Sequence, residues 1–474
     1  MTPDTPETGA ADRGAERPPI TAGTQITVGS VPDTSAPSRE RVRLGRDFRW
    51  LWSSAATTNL SDGVLLAAGP LLVAHLTDNA AAIAGAAFVE QVPWLLFGLV
   101  SGALVDRWDR RRVMIVVNLL RAVLVGALGL AAWTGSLTVV LAYALFFLLG
   151  TTETLVDNAG SALVPEIVPK AALPAANSWL MGVMFVGNLM VAPPLGAALF
   201  GVAVALPFGV NTALMVAGAV LLFGMRHRSV PTPKAERSSI RAEIVEGMRW
   251  AWSHRLLRTM AVSLCLMNIL LAATTAVLVV YSAQRLGLDD FGFGLLFAAL
   301  AVGALLGSVV APWLRDRFGD SLLIRVGLVI ETATHFSLAL TTSPWVAGAT
   351  LLVFGAHGAV LGVVLVSARQ RAVPDRLQGR VGGFYQLLIR GGTAVGSLIG
   401  GFVAEGFGIT VPYWAAGVAM AVLAAAVWRA FGPAAFAEAL AMEAAAEEAV
   451  RTGDAGADET VAEGAEAAEA PTKG

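Results

Sequence analysis

Between Phe48 and Phe431 the chain alternates long apolar runs with very short polar breaks. Each run is about twenty residues long, the length at which an α-helix crosses a bilayer core of about 30 Å. Twelve runs can be counted, centred near Asp62, Trp94, Arg121, Phe147, Val186, Met215, Asn268, Ala299, Val329, Phe354, Ala394 and Met420. Backbone N–H and C=O groups meet no water in lipid and must be satisfied within their own segment, so every run is read as a helix. The expected fold class is an all-α membrane protein with twelve transmembrane helices in two six-helix bundles.

Composition agrees. Of 474 residues 55% are hydrophobic and 14% charged, with a mean hydropathy of +0.66. A soluble chain carries about a quarter charged residues, so lipid rather than water is the main solvent. The net charge of −2 conceals a segregation, because arginines cluster in alternate loops and the acidic excess lies largely in the C-terminal tail. No nucleic-acid partner is implied. The basic stretches 39–49, 107–112, 226–258 and 369–380, with Arg315 and Arg317, all fall on one side of an even count of spans. Loops 134–136, 341–344 and 406–410 on the other side carry almost no positive charge. The positive-inside rule then places both termini in the cytoplasm and the protein in the cell (inner) membrane as a multi-pass chain.

The organisation follows from the same breaks. Residues 1–45 are rich in Pro, Thr, Ala and Gly without an apolar core, which reads as a disordered cytoplasmic tail rather than a secretory signal. Residues 46–226 hold the first six spans and 254–431 the last six. The loop 227–253 between them has Pro231 and Pro233 and then an amphipathic stretch over 240–252. Residues 432–474 form an acidic Ala/Glu-rich tail, read as a short surface helix followed by disorder. A weak repeat spans the divide. Asp106-Arg107 recurs as Asp316-Arg317, and in the same order Arg121 matches Glu331, Asn59 matches Asn268 and Gly196 matches Gly400. Repeated halves around a midplane site are the architecture of secondary transporters.

Ionisable residues inside the spans carry the functional reading, since each costs about 2.5 to 3.5 kcal/mol to insert. Asp62 lies about thirteen residues beyond Arg49, roughly 20 Å in at 1.5 Å per residue. It is read either as a proton-coupling carboxyl or as a hydrogen-bonding partner of neighbouring helices, with Asn59 beside it. Glu153 is the second proton candidate, one turn from Asp157. Glu90 and Gln91 would line a cavity or cap an external gate. Arg390, one turn beyond Tyr385 and Gln386, would face the cavity or an acid. Glu331 and His335 share a helix face, where a satisfied pair competes with a titrating histidine. The motifs Gly98-x-x-x-Gly102, Gly303-x-x-x-Gly307 and Gly396-x-x-x-Gly400 predict close helix packing. There is no GxxxxGK[ST], HExxH or GxSxG motif, and the single Cys265 permits no cysteine metal site, so the chain is read as neither an enzyme nor an ATP-driven pump and needs no cofactor.

The pattern Gly102-x-x-x-Asp106-Arg107-x-x-Arg110-Arg111, between the second and third spans, resembles the signature of the major facilitator superfamily. NLSDG at 59–63, Val92-Pro93-Trp94, Asn118-Leu-Leu-Arg121, 162–177 and 374–385 are similar to its multidrug and siderophore exporter branch, the enterobactin exporter and macrolide efflux type. The resemblance spans about 44–431. It implies that Asp106 faces the N-terminus of the eleventh helix, near Gly379 to Gly383, and that Arg110 pairs with Asp157, together forming a cytoplasmic gate. The antiporter pattern of the fifth span is reduced to Ala192-Pro193-Pro194-Leu195-Gly196-Ala197, and the second-half signature is degenerate. The expected function is proton-coupled efflux of a small amphipathic compound (drug, siderophore or secondary metabolite) by a monomer working through alternating access. A facilitator or importer of the same fold, and a non-transporting receptor or scaffold, are the alternatives.

Overall fold

The computed structural model describes residues 44–105, 107–229, 240–373 and 377–434. Both expected tails beyond these bounds, the first part of the inter-half loop and Asp106 of the signature therefore lie outside the described residues. The described chain is all-helical: α1 (Gly45–Leu76), α2 (Ala80–Val105), α3 (Arg110–Trp133), α4 (Val139–Ile167), α5 (Leu173–Val183), α6 (Ala192–Val202), α7 (Leu206–Leu222), α8 (Ile240–Ser253), α9 (Arg255–Thr275), α10 (Leu278–Gln284), α11 (Asp290–Leu340), α12 (Pro344–Ala372), α13 (Gln378–Phe407) and α14 (Val411–Val427). All but one of the expected span centres fall inside one of these helices; Val186 falls in a wider turn between α5 and α6. Among the described residues nine helices are long and apolar enough to cross a membrane, and α7 and α14, at 17 residues each, are shorter apolar helices.

Two elements depart from a simple series of spans. The expected eighth and ninth spans are one 51-residue run, α11, which turns at Gly319 (φ 74°) without an intervening loop. Only glycine takes that left-handed backbone without strain, so a single residue replaces a connection. Between α5 and α6 the chain widens into a π-helical stretch, Met184–Val191. Pro193 and Pro194 follow immediately and cannot donate to the preceding turn, and the Ala192 N–H reaches back five residues to the Gly187 carbonyl. Gly63 of α1 lies against this stretch, where a Cβ would meet the Asn188 carbonyl and Ala192.

The sequence repeat has a structural counterpart. Asn59 and Asn268 each donate a side-chain N–H to the carbonyl four residues back, at 2.8 Å in both cases. Gly196 and Gly400 each bring their helix against the backbone of the first long helix of their half, at Val64 and Ala273. Gly303 and Gly307 similarly meet the Leu352 and Ala356 carbonyls of α12, and Gly396 meets that of Ile269. Gly98 does not follow the pattern: a Cβ there would meet only Trp94 of its own helix. The amphipathic stretch after the unmapped loop is the helix α8, which is packed on α13 and α9. Gly247 abuts the Arg380 backbone, and Glu246 pairs with Arg380 at 2.6 Å.

Three apolar clusters show how the halves meet. At the arginine-poor end one cluster combines both halves, from Leu65–Val73, Ala80 and Phe208 to Val277–Tyr281, Phe293 and Leu296. There Gly401 of α13 packs on Ala81 and Ala84 of α2, Gly294 of α11 on Pro194 and Ala197, and the Ala80 N–H donates to Glu405 at 2.8 Å. At the arginine-rich end each cluster belongs to one half alone. The halves are thus joined at one end and part toward the other, leaving a crevice between them. Trp133 and Trp345 stand exposed at the arginine-poor end, Trp108, Trp313 and Trp428 at the other, as two interfacial girdles would require.

Candidate functional site: a charged crevice between the halves

The register of α1 sets the site. Ser61 is fully buried against α7, where its backbone carbonyl accepts from the Asn211 amide at 2.7 Å, and Gly63 is held against the π-helical stretch. Asp62, between them, turns toward α3 and pairs with Arg121 at 2.6 Å. Arg121 is 3% exposed, so the charge-assisted contact is a strong one. Its Nε has no hydrogen-bond partner. Glu153 and Asp157 of α4 are the further carboxyls whose charge Arg121 feels. Glu90 completes the group from α2. Gly150 admits α2 so closely that a Cβ would collide with the Glu90 carbonyl, which fixes α2 against α4 at that level.

The second half contributes one cation. Arg390 of α13 lies over the Trp94 ring at 4.4 Å and donates to Gln91 Oε1 at 3.4 Å. Its charge acts on Glu90 and on Asp157, both in the other half. Trp94 and Glu90 are one helical turn apart on α2, so a single face of that helix presents a carboxyl and an aromatic ring to one guanidinium. The crevice therefore assembles four carboxyls (Asp62, Glu90, Glu153, Asp157) around two guanidiniums (Arg121, Arg390). Side chains of Asn59, Gln91 and Gln386 remain accessible.

Several expectations need correction. Tyr385 does not line the crevice: it is 2% exposed, donates to the Leu257 carbonyl at 2.8 Å and lies beneath Arg369 at 5.0 Å. Arg110 pairs with Glu166, not with Asp157. Asp157 lies nine residues before Glu166 on α4, about 13 Å deeper, beyond reach from the first turn of α3. Glu166 also receives Ser229 Oγ at 2.6 Å and meets His227 Nε2 at 3.0 Å, and Asp47 accepts the backbone N–H groups of Arg226 and His227 at 3.0 Å. Arg111 closes the end of α7, donating to the carbonyls of Leu222 and Phe223 at 2.9 and 3.0 Å, and Asp109 caps α3. Arg107 is exposed, and Gly102 lies within α2. Glu166 was missed because it stands alone in the apolar last turn of α4, and the sequence does not show that Arg110 lies opposite that turn. Trp94 was missed as a site residue because a tryptophan in an apolar run reads as packing.

Residues 34–452 match the family described as transmembrane secretion effector. The chain belongs to this family of the major facilitator superfamily. Among curated relatives, the multidrug efflux pump Tap of Mycolicibacterium fortuitum is 26% identical, with 78% of this chain and 92% of that protein aligned. The uncharacterized transporter YvqJ of Bacillus subtilis, strain 168, is 24% identical over 77% of this chain and 87% of its own length. Solved structures with the same fold include the nucleoside transporter NupG, at TM-score 0.66 and 13% identity over 82% of this chain and 99% of that one. A bacterial homologue of the iron transporter ferroportin, in an inward-facing state, gives TM-score 0.63 and 18% identity over 81% and 98%. The chain is accordingly a multi-pass membrane transporter, and its family is one of transporters rather than enzymes.

Proposed function

We propose that the protein exports small amphipathic compounds, cationic ones foremost, in exchange for protons, alternating between two states as a monomer in the inner membrane. The observation that carries this reading is the surplus of carboxyls over guanidiniums between halves whose apolar clusters merge at one end and stay separate at the other. Unpaired charge in a low-dielectric interior is costly, so the surplus carboxyls attract either protons or a cationic cargo. Cargo and protons then compete through the charge of one group of neighbouring carboxyls, and each turn of the cycle exchanges one for the other. Each charge moved down a membrane potential of 100 mV supplies about 2.3 kcal/mol, which drives accumulation without ATP.

The twelve-span count fits this reading if α11 contributes two spans around Gly319 and the shorter α7 and α14 one each beside the remaining eight. With the arginine-rich end cytoplasmic, both ends of the described chain lie inside and the crevice faces the cytoplasm, where a drug is collected. Asp62 and Glu153 carry the coupling, Arg121 holds Asp62 in place, and Asn59, Glu90, Gln91, Gln386 and Arg390 with Trp94 form the cargo surface. Gly102, Asp106, Arg107, Arg110 and Arg111 act at the cytoplasmic gate.

The test uses proteoliposomes with an imposed pH gradient and a panel of lipophilic cations beginning with ethidium. Cargo-dependent dissipation of the gradient is expected, and Glu153→Gln and Asp62→Asn should each abolish it while a bound cation is still retained. Cargo movement with no proton movement would make the protein a facilitator instead.

A further inference from the structure

The second half contains a buried polar group that the crevice does not use. On α11, Gly327, Glu331 and His335 follow one another at one-turn spacing, and His357 faces them from α12. Glu331, His335 and His357 are 3%, 2% and 7% exposed. Gly327 makes room for the His357 ring, since a Cβ there would stand 3.3 Å from its Cδ2. His335 Nδ1 lies 2.8 Å from the Glu331 backbone carbonyl and His357 Nδ1 3.0 Å from that of Phe354. A carbonyl only accepts, so both rings carry their proton on Nδ1 in these bonds. His357 Nε2 is then left as a lone pair, and it faces Glu331 Oε2 at 3.6 Å.

Two acceptors facing each other in a dry interior repel, and this Nε2 has no other hydrogen-bond partner. The contact becomes attractive only if a proton joins it, carried by either the carboxyl or the ring. We propose that Glu331 and His357 form a proton-binding site inside the second half, with one proton held between Glu331 Oε2 and His357 Nε2. Of the other titratable groups nearby, His335 shares α11. α14 and α10, both packed against α11, offer Tyr413 and Tyr281, and α9 offers Arg255 and Arg258 in its first turn and Cys265. None of them is a carboxylate that would share the proton. Loss of the proton would change by one the charge buried between α11 and α12. The site does not depend on the crevice carboxyls moving protons.

The five histidines of the chain make the site directly observable by labelling the full-length protein with 15N-histidine in nanodiscs. A ring nitrogen that carries a proton resonates far upfield of a bare imine nitrogen, and one that accepts a hydrogen bond lies modestly upfield of it. His357 Nε2, assigned by its disappearance in His357→Gln, is expected at the upfield position. Glu331→Ala should move it to the bare-imine position. Glu331→Gln, which keeps the side-chain shape and offers an amide N–H, should hold it upfield and controls for misfolding. A wild-type Nε2 already at the bare-imine position, or one that Glu331→Ala leaves unmoved, overturns the assignment.

Discussion

At the scale of single residues, the decisive contacts are between charges that the sequence places in separate helices. Asp62 and Arg121 are 59 positions apart, and their 2.6 Å pair depends on α1 and α3 presenting the right faces. Removing one member of a buried pair leaves an uncompensated charge, at a cost of about 3 to 5 kcal/mol. Arg121→Gln should therefore lower the melting temperature in detergent sharply, and adding Asp62→Asn should recover most of the loss. Equal melting temperatures for the single and double variants would show that the pair does not bear on stability. Arg390 over Trp94 is a weaker contact, worth about 0.5 to 2 kcal/mol. Trp94→Leu should shift the population away from the state closed at the arginine-poor end, read by spin-label distances across that end in a Cys265→Ala background.

At the scale of elements, glycine placement separates helices that touch from helices that only pass. The α11–α12 crossing has backbone against backbone at Gly303 and Gly307. Gly307→Leu should destabilise the protein by at least the 1 to 3 kcal/mol of an overpacked core. Gly98→Ala meets only the edge of Trp94 and should be nearly silent in the same thermal assay. The sequence motif is identical in form at both places, and only the neighbouring helix distinguishes them. Pro193 and Pro194 widen the helix before them. Replacing both by alanine should convert 184–191 to regular α-helix and slow transport more than it weakens cargo binding, because wide turns of this kind mark moving or functional segments. A change in binding without a change in rate would tie the stretch to the cargo surface instead.

At the scale of the whole molecule, the two halves share apolar packing at one end and keep separate apolar clusters at the other. The cluster shared by both halves lies at the arginine-poor end, and the single-half clusters lie at the other. A short bifunctional reagent should therefore link Ala81→Cys to Gly401→Cys in the resting protein and block transport, with reduction of a cleavable linker restoring it. Efficient linkage with undiminished transport would mean that the end does not open during the cycle. The repeat is legible at this scale too. Asn59 with Asn268 and Gly196 with Gly400 play the same local parts in each half. Arg121 and Glu331 are equally buried but face different partners, a carboxylate on α1 and a histidine on α12. The repeat thus keeps the packing glycines and the helix-bonded asparagines, while the buried charged positions differ.

What the sequence alone determined is whatever local physics fixes. Apolar runs about as long as a bilayer is thick can only be helices, and the centres of eleven of the twelve runs lie in described helices, Val186 excepted. The spacing around Asp106 and Arg110 identified the superfamily, and the rarity of charge in lipid singled out Asp62, Glu90, Glu153 and Arg390. Tertiary structure decided which of these groups meet. Whether Arg110 reaches Asp157 or Glu166, whether Tyr385 faces the crevice or the Leu257 carbonyl, and whether His357 opposes Glu331 depend on the rotation and depth of one helix against another. Those are set by many small packing contacts between segments far apart in the chain. Periodicity within a helix gives the face of a side chain but not what stands opposite it.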